Sequence, residues 1–298
     1  MTDRYQLWSE RYDREMEDVF EIQDDIPQAL RVILSEGEKK QIEKPRAVNI
    51  EAYDYCLRGR QNFQIRCSVL DQARRMFEKA IAIDPGDACA YAGLADCLSH
   101  NYKFFDKRES NLREAEIASN RALELEPDLA EARVARGLAV SLRERFDEAE
   151  QEFEKAMRLD PQLFDAVYWF AQALKSLGRD DESTAARRKG NKLVEQHLEL
   201  HPDDARACVL GAANVAHSDP KLALTYLERA IRADPTDPIL LYNVACTYAV
   251  IGGRNADALD ALEQAVSRGW ADKGWIEHDS DLVLLRKEPR YLALLQSM

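Results

Sequence analysis

The sequence predicts an all-α fold, a right-handed superhelical solenoid of about six helix-turn-helix repeats closed by a C-terminal cap. Three observations predict it. First, Ala130 to Pro161 holds two apolar-periodic runs either side of a polar break at residues 143–145. One run carries Val134, Leu138 and Leu142, the other Ala149, Phe153 and Ala156. Apolar positions three and four apart around a short break describe two antiparallel amphipathic helices. Second, small residues at Gly137, Ala149 and Ala156 let those helices approach closely, and Pro161 stands where a helix cannot continue. Third, Pro127 and Pro161 lie 34 residues apart, and the same pattern recurs along the chain.

A helix hairpin with small residues at these places and this period resembles the tetratricopeptide repeat. Composition agrees with an ordered helical chain: 298 residues, only 10 Pro and 12 Gly, 46% hydrophobic and 32% charged. Three regions are expected: an N-terminal segment over 1–50, the repeats over 51–268 and a capping segment over 269–298.

In the N-terminal segment, Tyr5, Leu7, Trp8 and Tyr12 lack helical spacing and read as a short strand. Val19, Ile22, Ile26, Leu30 and Ile33 then step by three or four, one helical stripe, which Pro27 could divide into two helices. A charged run from Glu36 to Arg46 follows. The stretch LWSERYDREMEDVFEIQDDI, followed by NIEAYDYCLRGR, resembles the junction in bacterial multidomain proteins between a TolB-like domain and C-terminal tetratricopeptide repeats. Such proteins often carry a class III adenylate or guanylate cyclase domain, or a winged-helix DNA-binding domain, at their N-terminus. Nothing in this sequence matches either, so the resemblance implies a bacterial signalling context in which the chain begins near the end of the TolB-like part.

The first repeat runs from about Ala52, with Gly59 in its first helix and Ala73, Phe77, Ala80 and Pro85 in and after its second; its loop looks about two residues longer than the pattern expects. The second carries Tyr91, Leu94, Ala95 and Leu98, then Ala115 and Ala122. Pro85 and Pro127 are 42 residues apart, which places extra residues most simply at Ser99–Ser110. The third is the regular repeat already described. In the fourth, Val167, Phe170, Ala171 and Leu174 lead to a turn at Gly178, and the 41 residues from Pro161 to Pro202 predict a long second helix over 181–200. The fifth spans Ala205 to Pro235. The sixth starts at Pro238, and its first helix is apolar almost all round, as a helix covered on both sides must be. From Gly269 the motif lapses. There Trp270, Trp275, Leu282, Leu285, Tyr291 and Leu294 can cover the exposed end of the last repeat while the acidic residues face water.

The net charge of −13 argues against nucleic-acid and anionic-membrane partners, whose phosphates call for basic patches. Six scattered cysteines without a CxxC pair read as reduced, structural thiols of a cytoplasmic protein. The charged N-terminus does not read as a signal peptide, and the most apolar stretch, Ile239 to Gly252, is too short and polar to span a bilayer.

No enzyme chemistry is legible. His197 and His201 are four apart on one helix face but lack a third ligand; they read as a polar helix end, His201 favourable at the C-terminal dipole. Asp279 and Asp281 lack the glycine and terminal glutamate of a calcium loop and read as the start of a capping helix. Glu150, Glu152 and Glu154 do not converge as an acid/base pair would. No catalytic residue, metal or cofactor is expected.

The remaining functional surface is the concave groove, lined by first-helix residues pointing away from the second helices. By helical phase these are Val134 and Leu138, Tyr168 and Gln172, Arg206 and Val209, and Tyr242 and Cys246. Two tyrosines among aliphatics suit an apolar or helical peptide of a protein partner, though some of these residues could instead pack on neighbouring first helices. A carboxylate clamp would need Lys, Asn and Arg converging, and Asn243 stands nearly alone. Tyr102, Phe104 and Phe105 either form a contact patch on a protruding loop or fold back over a neighbouring repeat. The expected function is a non-catalytic interaction scaffold. The alternative is self-association into a homo-oligomer, through a strand at residues 5–12 that seeks another edge.

Overall fold

The computed structural model describes residues 49–65, 70–270 and 273–298. The expected strand at 5–12, the stripe from Val19 to Ile33, nearly all of the 1–50 segment, Cys67 and the first repeat's long loop lie outside the described residues. Residues 47–298 form one compact unit.

Six helix pairs follow one another: α1 (Ile50–Ile65) with α2 (Leu70–Ile83), α3 (Ala88–Phe104) with α4 (Glu109–Leu125), and α5 (Ala130–Ser141) with α6 (Phe146–Leu159). Then come α7 (Phe164–Ser176) with α8 (Asp180–Leu200), α9 (Ala205–Val215) with α10 (Pro220–Ala233), and α11 (Pro238–Ile251) with α12 (Asn255–Ser267). The cap comprises α13 (Lys273–His278), a 3-10 segment at Ser280–Leu285 and α14 (Pro289–Ser297). Among the described residues there is no strand. Each helix packs on its hairpin partner and on the next pair, the contact pattern of an all-α solenoid.

Local chemistry sets the boundaries. Aspartates cap α3, α9, α10 and α11: Asp87, Asp204, Asp219 and Asp237 accept from the first-turn amides of Ala90, Ala207, Leu222 and Ile239. Pro220 and Pro238 occupy first helical positions, where no amide is needed. In the turns between repeats, Asp84, Asp160 and Asp234 each accept from the amide two residues on, a recurring side-chain-closed turn. Gly178 and Gly252, with φ of 75° and 77°, end the first helices of repeats four and six.

Close approach of helices, within a hairpin at Gly137 and between successive repeats at Gly93, depends on a ring lying over a glycine. A Cβ on Gly137 would fall 2.5 Å from Phe153, and one on Gly93 2.3 Å from Phe77. The long second helix of repeat four is present as α8, and α11 is buried on nearly every face.

The first helices also meet across the concave side. Arg206 of α9 lies 5.7 Å from the Phe63 ring of α1, and His100 of α3 meets Trp169 of α7 edge-on at 6.1 Å. The stretch read as a protruding loop instead prolongs α3. Phe104 is buried against Trp270 with ring centres 5.3 Å apart, and Phe105 lies 6.3 Å from the same ring. Repeat two therefore touches the cap that follows repeat six.

Candidate functional site

The first helices α7, α9 and α11 form the floor of a trough. Its apolar end is bounded by His100, Lys103, Phe104, Trp169 and Leu240 and holds about 610 Å³ of open space. Its polar end holds about 490 Å³ among Gln172, Lys175, Arg187, His217 and Asp281. Tyr168, Val209 and Asn243 line both ends, so the two concavities adjoin.

Five of the residues expected in the groove lie along it: Tyr168, Gln172, Arg206, Val209 and Cys246. The other three do not line it. Val134 and Leu138 are buried in repeat three, Leu138 with 1% of its surface exposed. Helix α5 is covered by α3, α4, α6 and α7, so its apolar face meets protein on every side. Tyr242, 2% exposed, stacks on Trp270 with ring centres 3.9 Å apart and planes 3° from parallel. Its hydroxyl donates to Asp279 Oδ2 at 2.6 Å.

Polar contacts hold the floor in place. Gln172 Nε2 donates to the Tyr168 hydroxyl at 3.1 Å, and Arg187 donates to Gln172 Oε1 at 3.3 Å and to the Ala213 carbonyl at 3.1 Å. Arg206 is held by Asp165 at 2.6 Å and 2.8 Å, a bidentate pair that fixes its guanidinium between α7 and α9. Burial keeps the Tyr168 phenol protonated by raising its pKa.

Lys103 enters from α3. Its ammonium lies 4.5 Å from the Trp169 ring centre, 5.0 Å from Phe104 and 5.5 Å from Trp275, within cation–π range of all three. Burial pulls its pKa down to about 8, against the opposing pull of Asp279, Cys246 and Asp281.

The cap supplies the acids. Asp279 begins the 3-10 segment, its Oδ1 accepting from the Asp281 amide at 2.8 Å, so it is helix-initiating as expected. The expectation that the cap's acids face water fails for Asp279, whose carboxylate Tyr242 draws inward, while the Asp281 side chain keeps 39% of its surface exposed. Asp281 Oδ1 stands 3.7 Å from Lys175 Nζ. Ligand atoms of Cys246, Asp279 and Asp281 lie within 4.8 Å of one another. This set is already provided for: the Cys246 thiol is held protonated by burial, a tyrosine donates to Asp279, and a lysine faces Asp281. It reads as a latch between α11 and the cap.

Away from the trough, His197 Nε2 lies 2.8 Å from Asp204 Oδ2, and its ring packs on Phe164 and His201. Glu150, Glu152 and Glu154 turn to different partners, Arg179, Arg133 with Lys155, and Arg158.

Periodicity did not reveal Lys103, Trp169, Lys175, Arg187, His217 or Asp281 as trough residues. Lys175 and Arg187 belong to one hairpin and could have been placed by its helical phase. Asp281 arrives through the cap, which follows no repeat pattern.

Comparison with known proteins identifies the repeats. Tetratricopeptide-repeat profiles match residues 130–163 and 208–273. A curated protein of Rhizobium meliloti (strain 1021), named "Putative adenylate cyclase 3", is 35% identical over 151 residues, covering 48% of this chain. The chain spans about a quarter of that relative's length, 26%. Three solved structures are similar. YrrB, described as a tetratricopeptide-repeat protein with an unusual peptide-binding site, is 25% identical with a TM-score of 0.36 over 65% of this chain and 92% of its own. TTC0263, a thermophilic tetratricopeptide-repeat protein of Thermus thermophilus, is 19% identical with a TM-score of 0.47, over 66% and 98%. The pilF protein of Pseudomonas aeruginosa is 16% identical with a TM-score of 0.42, over 84% and 99%. The chain is an all-α solenoid in which residues 130–163 and 208–273 match the tetratricopeptide repeat. Among the described residues, no helix is long and apolar enough to cross a membrane.

Proposed function

We propose that the trough over α7, α9 and α11 holds a segment of a protein partner, and that the chain is a non-catalytic scaffold. The observation that carries this reading is the adjacency of an apolar and a polar concavity that share Tyr168, Val209 and Asn243. An apolar end with Phe104, Trp169 and Leu240 runs past Tyr168 and Val209 into an end lined by amide and charged groups. An extended or helical peptide needs such a surface: apolar pockets for its anchors and placed polar groups for its direction. Tyr168 is bonded to Gln172, Lys103 faces aromatic rings, and the Cys246 thiol, which points at Asp279, is held protonated by burial and so is a poor nucleophile.

The relative named as a cyclase supports a regulatory place in bacterial signalling, with this scaffold recruiting or controlling a domain encoded elsewhere in such proteins. Its cytoplasmic placement belongs to the same reading, as does the division into an N-terminal segment over 1–50, repeats over 51–268 and a cap over 269–298.

The test is selection of random short peptides, displayed on phage, against the wild-type chain and against Tyr168→Ala/Gln172→Ala. Peptides that bind the wild type and are lost with the double variant support the trough. Peptides retained equally by both remove it. Self-association through residues 5–12 is the second reading, supported by the strand-like sequence pattern there. Light scattering on the full chain and on a chain starting at residue 15 separates the two.

A further inference from the structure

This inference rests on the trough as a peptide site and adds the chemistry of the peptide. The chain carries a net charge of −13, yet the polar end of its trough gathers Lys175, Arg187 and His217. Many arginines elsewhere sit in ion pairs, among them Arg133, Arg136, Arg143, Arg145, Arg179 and Arg290. Among the described residues Arg187, like Arg229 and Arg286, does not. It donates only to a backbone carbonyl and a side-chain amide. Lys175 stands 3.7 Å from its carboxylate, beyond hydrogen-bond reach, and Lys103 faces aromatic rings. A single side chain of the cap, Asp281, is set among these cations; its own pKa is raised by burial and by Asp279, and lowered by Lys175, Arg187 and His217.

We infer that the trough takes an acidic segment of a partner protein, seating a carboxylate against Lys175 and Arg187 where Asp281 now sits, and that Asp281 is its internal competitor. Arg187 has the planar fork that a carboxylate engages through two parallel hydrogen bonds, a stronger contact than its present ones. A peptide, as against a small anion, accounts for the rest of the trough. The surface continues from the cations past Tyr168 and Asn243 to the rings of Phe104 and Trp169, which offer an apolar side chain of the same segment a place to bury. The cap thus holds the trough with a weak contact of its own. An incoming acid needs only to displace one carboxylate from a distance at which it is not hydrogen-bonded.

The experiment pans a phage-displayed library of random short peptides on the whole wild-type chain, then measures the best fluorescent peptide against variants. Circular dichroism confirms that each variant keeps its helix content. The expected pool is enriched in Asp and Glu beside an apolar residue. Lys175→Gln/Arg187→Gln loses the peptide, and Asp281→Asn binds it about tenfold more tightly, the factor expected on removing a competitor that fills the site most of the time. A pool with no acidic enrichment, still lost with Tyr168→Ala, overturns the acidic segment and leaves the trough standing. A pool indifferent to both Tyr168→Ala and Lys175→Gln/Arg187→Gln, or no selected peptide at all, overturns the trough as well. Unchanged or weaker binding by Asp281→Asn overturns the internal competitor.

Discussion

Tyr242 and Asp279 are 37 residues apart in sequence and joined by a 2.6 Å hydrogen bond from hydroxyl to carboxylate. The same tyrosine ring is stacked on Trp270, so one side chain fastens α11 to residues on either side of α13. Tyr242→Phe keeps the stack and removes the donor. A hydrogen bond to a charged group contributes about 1.5–3 kcal/mol, so this loss is expected in urea unfolding, with faster amide exchange confined to residues 273–298. An unchanged midpoint and unchanged exchange would show that the bond contributes nothing. Tyr242→Ala removes the ring too and is expected to cost about 3–5 kcal/mol.

Phe104 carries the contact between repeat two and the cap. It is buried against Trp270, and its own ring helps enclose Lys103. Phe104→Ala is expected to cost about 3–5 kcal/mol, since the cavity it leaves is walled by helices that cannot collapse independently. Tryptophan fluorescence should shift to the red as water reaches Trp270. A change within about 0.5 kcal/mol, as for an exposed side chain, would contradict the contact.

Gly137 tests the packing inside a repeat. In a free helix, alanine is better than glycine by about 1 kcal/mol. Here a Cβ would fall 2.5 Å from the Phe153 ring, and overpacking costs about 1–3 kcal/mol, so the steric effect outweighs propensity. Gly137→Ala is expected to lower the melting temperature, and Phe153→Leu placed with it to cost less than the two changes summed. Additive losses would mean that the two residues do not meet.

His100 gives the acid limb of stability a sign. Its Nδ1 lies 2.9 Å from the Asp96 carbonyl, so the neutral ring donates from Nδ1, and burial then Arg206 lower its pKa to about 3. The unfolded histidine titrates near 6.5, so between pH 6.5 and 3 the unfolded chain binds more protons than the folded one. Its contribution is fully present above pH 6.5 and is lost as pH falls through that window. Asp96, pushed up to about 7 by burial, changes stability in the opposite direction, so the difference between chains is the readout. Wild type should lose more stability than His100→Gln between pH 7 and 4. Parallel pH curves would contradict a buried neutral ring.

The hairpins were legible because their signals are local: Gly137 facing Phe153, a proline after five of the six second helices, and an extra two turns in α8 all lie within one repeat. The closure was not. Whether Phe104 meets Trp270 depends on rotation summed over the repeats between them, which no window of sequence contains. Phase placed Tyr168, Gln172, Arg206, Val209 and Cys246 along the trough because α7, α9 and α11 leave one side open to it. It misplaced Val134 and Leu138 because α5 is enclosed, so an apolar stripe there carries no direction. Asp279 looked like a solvent-facing acid because nothing nearby in sequence announces Tyr242.

The most direct measurement is photo-cross-linking of a selected peptide from a benzophenone side chain at Val250, at the trough, against one at Ile117, exposed on the outer helix α4. Adducts at Val250 that vanish with excess unlabelled peptide, and none at Ile117, are the predicted result. Equal adducts at both positions, or adducts only at Ile117, would contradict a peptide site on the concave face.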